Sequence, residues 1–358
     1  MNPAKSAPLR KPGTRNSLLL GLLLQALFIL GCDQEQRPIV VYVSADEYVA
    51  RPILDAFTSR TGLPVLMVGD TEATKTTGLV ERIRAEVNNP IADVFWSSEA
   101  FMTIQLANER LLVSHQSDTG RSWDSRWKDP DDLWFGFSPR PRVLVFDQER
   151  VSEDSVPNSL QELIDPIWRD RIVMADPRFG TTGGQLAALR SWYLQAGDED
   201  GYEDWVSGLA ANNVVVLPGG NAAVVEYVQS GRALMGLTDA DDVRAANRLG
   251  AGLSMRAVGP TDSIGTFMMP NTVAIVAGST HPDAGLLVDF LLSDEVARTL
   301  AESVSGNIPI KPEIAAEYPE LMVSDPMQTD LNKAAKNYNS AVNAMIEAID
   351  TGGQNAPS

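Results

Sequence analysis

Residues 39–62 read IVVYVSADEYVARPILDAFTSRTG, and this stretch decides the fold. The run Ile39–Val43 is apolar and β-branched, which is typical of a strand buried in a parallel sheet. Ser44 with Glu47 three residues later matches a capping box, which predicts the start of a helix. Apolar residues then repeat at helical spacing as far as Gly62, a residue that favours the turn at a helix end. A strand followed at once by an amphipathic helix indicates an α/β fold.

The same unit repeats downstream. Residues 63–68 form a second apolar run, the loop GDTEATKTTG at residues 69–78 follows it, and a helical pattern comes next. Residues 92–96 predict a third strand. Parallel strands end at one edge of a sheet, where open α/β folds bind ligands. We therefore expect three loops to share one rim: residues 44–48, 70–77 and 97–99.

A second α/β region follows. Further strands are predicted at residues 142–146, 171–174, 214–217 and 233–237, and residues 272–276 predict a strand that returns to the first region. Helical patterns cover residues 284–292 and 294–302. The sequence thus predicts two α/β lobes joined by two chain segments.

Composition excludes several classes of function. The net charge of −18 opposes binding to nucleic acid or anionic lipid. A hydrophobic content of 44% suffices for a core. The two histidines, His115 and His281, belong to no zinc-ligand spacing, and the sequence has no nucleophile-elbow pattern. We therefore expect a protein that is not an enzyme and needs no cofactor.

The N-terminal residues predict an export signal. Residues 1–31 begin with basic groups and continue with an apolar run that is short for a permanent membrane helix. The run ends at Cys32, where the sequence resembles a lipobox, and Cys32 is the only cysteine of the chain. The alternative is ordinary signal cleavage that leaves a free thiol. We predict lipidation of Cys32, and Asp33 resembles an inner-membrane retention signal.

Six segments together resemble one family. They are VVYVSADEYVARPILDAFTSRTG, DTEATKTTGLVERIRAE, NNPIADVFWSSEA, RPRVLVFD, MADPRFGTTGG and GLTDADDV. They resemble extracellular solute-binding protein family 1 of bacterial ABC importers, which includes the periplasmic ferric-iron-binding proteins. The resemblance implies the two-lobed periplasmic-binding-protein fold of class II and an ABC permease and ATPase as partners.

The expected lobes are discontinuous in sequence. Residues 33–140 with 267–311 should form lobe 1, and residues 141–266 with 312–350 should form lobe 2 and the C-terminal helices. The hinge is expected near residues 137–142 and 265–269. The last residues, 351–358, are expected to form a disordered tail.

The sequence departs from the ferric-binding members at their iron ligands. Those members supply adjacent tyrosines from the second lobe, whereas the corresponding residues 236–242 read GLTDADD. The seven tyrosines of this chain are isolated from one another in sequence. The resemblance therefore implies a transport binding protein without carrying the iron ligands across.

Candidate cargo residues in lobe 1 come from the three rim loops. The loop at residues 69–78 lacks the Gly-Lys-Ser/Thr ending of a nucleotide P-loop. Its threonines and Lys75 suit the oxygens of an anion, while capping of a helix by Thr76 or Thr77 is the structural alternative. The lobe 1 candidates are Ser44, Asp46, Glu47, Asp70, Glu72, Thr74, Lys75, Thr76, Ser97, Ser98 and Glu99.

Lobe 2 offers a glycine-rich turn before a helix and an acidic turn before another. The first turn, residues 180–184, suits an anion, and a capped tight turn is the equal alternative. The acids after Thr238 suit a hard cation, or they favour the start of a helix. Arg140 and Arg142 lie at the expected hinge. The lobe 2 candidates are Arg142, Thr181, Thr182, Gly183, Asn221, Thr238 and Asp239.

These residues predict a monomeric binding protein that captures a small oxygen-rich anion by hinge closure. The anion is a phosphorylated or carboxylated metabolite, or it accompanies a metal. The alternative cargo is ferric iron held by carboxylates, which would be Glu47, Glu99, Asp239 and Asp241. A periplasmic sensor without an importer is the second alternative.

Overall fold

The computed structural model describes Met1, residues 37–70 and residues 76–352. The chain divides into residues 1–37 and a second unit that begins at Pro38, and the fold below is that of the second unit. Apart from Met1, the predicted export signal lies outside the described residues, as does Cys32. Among the described residues, no helix has the length and apolar character needed to cross a membrane.

The first lobe begins with three strands that each lead into a helix. Strand β1 pairs in parallel with β2 on one side and β3 on the other, as the repeated pattern predicts. All five residues of β1 are buried. The elements are β1 (Ile39–Val43), α1 (Glu47–Thr61), β2 (Val65–Gly69), α2 (Thr77–Ala85), β3 (Val94–Ser97) and α3 (Phe101–Asn108).

The predicted capping box before α1 is wrong. The helix begins at Glu47, and the capping residue Asp46 makes no side-chain bond to its first amides. Ser44 lies one residue after the strand, and its Oγ accepts the amide hydrogen of Ser98 at 2.8 Å instead. At the other end Gly62 has φ 75°, and its amide closes the last turn on the carbonyl of Thr58, as the glycine predicts.

The remaining elements complete a mixed fold. The strands are β4 (Leu112–Val113), β5 (Phe135–Phe146), β6 (Ile172–Ala175), β7 (Val215–Leu217), β8 (Met235–Asp239), β9 (Ser254–Ala257) and β10 (Met268–Val276). The helices are α4 (Gly180–Gln195), α5 (Gly201–Ala211), α6 (Asn221–Gln229), α7 (Ala240–Arg248), α8 (Ala284–Leu291), α9 (Asp294–Glu302), α10 (Pro312–Ala315), α11 (Leu331–Ala335) and α12 (Tyr338–Gly352).

Two long strands join the lobes. The strand order is β2-β1-β3-β10-β5-β8-β6-β7. The first half of β5 pairs with β10, while its second half pairs with β8 and β9. All 12 residues of β5 are buried. The amide of Arg142 donates to the carbonyl of Phe267 at 3.0 Å, so the outgoing and returning segments touch where they cross. The predicted two-lobed α/β fold is confirmed.

The C-terminal helix α12 packs against the second lobe. The Tyr202 hydroxyl of α5 donates to the carbonyl of Ala341 at 2.8 Å. The ring of Tyr338 lies 5.8 Å from that of Phe101, so α12 also reaches α3. The helix continues through Thr351 and Gly352, two residues that the sequence assigns to the tail.

Candidate cargo site

The three predicted rim loops meet at a small hydroxyl cluster. The Oγ atoms of Ser44 and Ser98 lie 3.2 Å apart, and the Thr76 hydroxyl donates to Ser44 at 2.9 Å. Thr76 precedes α2 with φ 71° and makes no capping bond through its side chain. Its hydroxyl therefore joins two loops rather than capping the helix.

A cavity of about 50 Å³ opens beside this cluster, between the two lobes. A water molecule occupies roughly 10–15 Å³ of such space, so the cavity admits a small ion with a few ligand atoms. Six predicted cargo residues line it: Asp46, Ser98, Thr181, Thr182, Asn221 and Asp239. Its wall also includes Arg140, Asp176, Asp241, Asp242 and Asn271.

Arg142, a predicted cargo residue, does not line the cavity but bonds to residues that do. Its side chain is 0% exposed. Nη1 donates to Asp239 Oδ1 at 2.7 Å and to Thr181 Oγ1 at 2.9 Å, while Nε donates to Gln185 Oε1 at 2.9 Å. Strand β5 thereby fixes the first turn of α4 and the end of β8. Nη2 of Arg142 is buried and has no hydrogen-bond partner in the described chain.

Asp239 is the acceptor that these donors share. Its Oδ2 accepts from the Thr181 hydroxyl at 2.8 Å, from Asn221 Nδ2 at 3.0 Å and from Arg140 Nε at 3.2 Å. Burial opposes ionisation, but the nearby Arg142 and Arg140 and the Thr181 hydrogen bond hold the pKa of Asp239 below its usual value. The carboxylate is therefore ionised at neutral pH.

An acidic group continues from Asp239 into the first turn of α7. Carboxylate oxygens of Asp239, Asp241 and Asp242 lie within 4.8 Å of one another. Arg140 Nε lies 3.1 Å from Asp241 Oδ2 and so bridges two of the acids. Although burial opposes the shift, these carboxylates raise the pKa of Arg140, which stays charged.

Tyr48 of the first lobe bonds to an acid of the cavity wall. Its hydroxyl donates to Asp46 Oδ2 at 3.1 Å. Burial and Asp46 raise the pKa of Tyr48, and Asp242 and Asp241 raise it further. Asp46 lines the cavity together with Asp241 and Asp242, so acids of both lobes border it.

Known proteins share this pattern and fold. The sequence pattern of the bacterial extracellular solute-binding protein family matches residues 89–344. The chain belongs to this family.

Among curated relatives, Iron uptake protein A1 of Synechocystis is 24% identical over 312 residues, which are 79% of this chain and 80% of that protein. Iron-bound HitA from Pseudomonas aeruginosa is similar with a TM-score of 0.72 and 22% identity, over 87% of this chain and 99% of that one. AfuA from Actinobacillus pleuropneumoniae, with bound fructose-6-phosphate, is similar with a TM-score of 0.71 and 21% identity, over 87% of this chain and 98% of that one.

Several predicted cargo residues of this solute-binding protein lie outside the cavity wall and bond within the protein. Asp70 accepts the amide of Leu79 in α2 at 3.2 Å. Thr238 donates to the carbonyl of Asn221 at 3.2 Å. A Cβ atom at Gly183 would lie 2.4 Å from the Tyr338 hydroxyl, so close packing against α12 requires glycine there.

The acids predicted as iron ligands do not form one group. Glu99 is buried and accepts the amides of Phe101 and Met102 at 2.7 and 2.9 Å, which caps α3. The Glu99 amide donates to Ser97 Oγ at 3.1 Å. Glu47 pairs with Arg51 on the exposed face of α1. The structure groups Asp239 and Asp241 with Asp242 instead. Glu72, Thr74 and Lys75 lie outside the described residues.

Arg140 and Asn271 are two of the wall residues that the predicted cargo set lacks, and Arg140 has a signal in the sequence. Arg140 and Arg142 are two apart, so in a strand their side chains share a face. Asn271 has no local signal. It accepts from Trp96 Nε1 at 3.3 Å and donates to the carbonyl of Ser138 at 2.9 Å, which fixes it at the crossing of β5 and β10.

Glu99 makes stability depend on pH. Burial raises its pKa to about 7 from 4.5, against the opposing effects of the Met102 and Phe101 amides and of Arg140. The folded protein then binds this proton more tightly than the unfolded chain, so this contribution to stability falls as pH rises from about 4.5 to about 7. The fall is at most about 3 kcal/mol.

Urea unfolding of Glu99→Gln at pH 5 and pH 8 checks this expectation. From pH 5 to pH 8, the free energy of unfolding should fall less in the variant than in the wild type. The exposed Glu47→Gln, which also removes one carboxylate, should retain the wild-type dependence. An unchanged dependence in Glu99→Gln would refute the assignment.

The buried pair predicts an unequal response to two similar substitutions. Asp239→Asn leaves Arg142 buried without a compensating charge and should destabilise the fold by about 3–5 kcal/mol. Asp241→Asn removes a partly exposed acid and should cost less than about 1 kcal/mol. Equal losses in urea unfolding would contradict the central place given to Asp239.

Proposed function

We propose that this protein is the cargo-binding component of an ABC importer and that its cargo is ferric iron. The names of Iron uptake protein A1 and iron-bound HitA support iron. The observation within this chain that carries the proposal is that acids of both lobes line one cavity, Asp46 from lobe 1 with Asp241 and Asp242 from lobe 2, while the Tyr48 hydroxyl bonds to Asp46. Asp46 and Tyr48 from one lobe with Asp241 and Asp242 from the other form a set of hard oxygen donors.

The chemistry of this donor set suits Fe(III). A hard trivalent cation prefers carboxylate and phenolate oxygens. Asp239 accepts from two arginines, so we assign Asp241 and Asp242 as the lobe 2 donors, and iron must displace Arg140 from Asp241. One phenolate from lobe 1 thus replaces the adjacent tyrosines of other members. Because the pKa of Tyr48 is raised, iron must displace its proton, so affinity should increase with pH.

Capture requires the lobes to close on the metal. We assign residues 33–140 with 267–311 to one lobe and residues 141–266 with 312–350 to the other. The crossings of β5 and β10 serve as hinge, and ligands from both lobes stabilise the closed form. The closed protein then docks on the permease, and lipidated Cys32 keeps it at the membrane.

An oxygen-rich anion is the second candidate cargo. The first turn of α4 borders the cavity, and the Thr182 hydroxyl there is buried, 1% exposed, without a partner among described residues. Free amides at a helix start and an unused hydroxyl suit phosphate or carboxylate oxygens. The structural neighbour AfuA holds fructose-6-phosphate.

One panel separates the two candidates. Ferric citrate should raise the melting temperature of the purified protein and produce a visible phenolate-to-iron charge-transfer band. At a hundredfold excess over the dissociation constant, the stabilisation should be about 2.7 kcal/mol. Tyr48→Phe should abolish the band, and Asp241→Asn with Asp242→Asn should abolish binding.

Tyr227→Phe provides a matched control, because that ring packs on Arg232 elsewhere in lobe 2. It should leave both the band and the stabilisation intact. If a sugar phosphate stabilises the protein and ferric citrate does not, and if Thr182→Val loses the stabilisation by the sugar phosphate, the anion becomes the better candidate cargo.

A further inference from the structure

A second cavity, of about 110 Å³, lies where the crossing strands are covered by the C-terminal part of the chain. Pro139 of β5 and Met268 of β10 form part of its wall, and Trp127, Ile308 and Met327 add further apolar surface. No described residue lines both this cavity and the cargo cavity. We call it the rear cavity.

Two hydrogen-bond donors in the rear cavity are unused. Arg126 Nε and Thr329 Oγ1 are buried atoms without a hydrogen-bond partner in the described chain, and both residues line the cavity. Arg126 Nη1 donates to Gln328 at 2.6 Å, whereas Nε stands 3.8 Å from Asp124 Oδ1, beyond hydrogen-bond distance. Unpaired buried donors are costly, so a ligand that accepts from both gains affinity.

The apolar wall and these donors together define a class of ligand. A carboxylate accepts hydrogen bonds at both oxygens and matches the positive charge of Arg126. The guanidinium lies 5.3 Å from the centre of the Trp127 ring, which keeps the charge at the edge of the apolar surface. An apolar body attached to the carboxylate would fill the remaining space.

We propose that the rear cavity binds a small monocarboxylate with an apolar body, of about the size of benzoate or hexanoate. An engineered protein cavity of about 150 Å³ encloses benzene, so a cavity of about 110 Å³ that opens to solvent encloses part of a ring or short chain, and the remainder extends from its mouth. Arg126 and Thr329 bind the carboxylate, and Trp127, Met268 and Met327 contact the body.

The segments around this site are bonded to the crossing strands. The amide of Ile308 donates to the carbonyl of Pro139 at 2.8 Å, and the amide of Met327 donates to the carbonyl of Thr266 at 3.0 Å. The wall is therefore anchored on both sides, and the cavity is part of the folded structure rather than a gap between loose loops.

Isothermal titration of the full chain tests the proposal with benzoate and hexanoate. Benzyl alcohol and hexanol, with the same bodies and no charge, are the ligand controls. We expect one saturable site that prefers the carboxylates by about tenfold or more. Arg126→Gln should remove that preference, and the near-isosteric Thr329→Val should weaken carboxylate binding severalfold.

Arg298→Gln is the matched protein control, since Arg298 is an exposed arginine paired with Glu317. It should bind benzoate as the wild type does. Absence of saturable heat up to the solubility limit of both acids would overturn the proposal. Equal affinity for acid and alcohol, or wild-type binding in both Arg126→Gln and Thr329→Val, would overturn it as well.

Discussion

The buried ion pair between Arg142 and Asp239 is the constraint on which the cargo wall depends. Removing two charges from water is expensive, and the attraction between them compensates only when the geometry is good and the remaining hydrogen-bonding groups are satisfied. Here Thr181 and Asn221 donate to the Asp239 carboxylate, so the starts of α4 and α6 are fixed with the same bonds, while Nη2 of Arg142 has no partner in the described chain. One pair thus aligns strand β5 with three loops of the second lobe.

This pair also sets the charge of the cleft. The turn after β8 carries acids that are partly neutralised by Arg140 and Arg142. A cation that enters must compete with guanidinium groups, with Arg142 and Arg140 for Asp239 and with Arg140 for Asp241. An anion that enters is attracted by the same arginines and repelled by the acids. The selectivity of the site is therefore a balance of opposed charges within a few ångströms.

The sequence predicted what depends on local pattern and failed where distant segments meet. Hydrophobic runs located the strands of both lobes, and parallel topology placed Ser44, Thr76 and Ser98 together. The capping box failed because Ser44 bonds to a neighbouring loop, which no spacing rule contains. Asp46 and the acids of α7 are far apart in sequence, so their meeting at one cavity became visible only in the fold. The rear cavity was likewise invisible, since five separate segments enclose it.

The position of β10 has a consequence for how the chain is made. Strand β10 lies between β3 and β5 and completes the sheet of the first lobe, yet it follows strands β6 to β9 of the second lobe in sequence. While the chain is being made, β3 is therefore an open sheet edge until residues 268–276 arrive. Unpaired edges recruit other strands and promote aggregation. The first lobe is consequently the part of a nascent chain that most needs chaperone protection, and no fragment ending before β10 can contain a finished lobe 1.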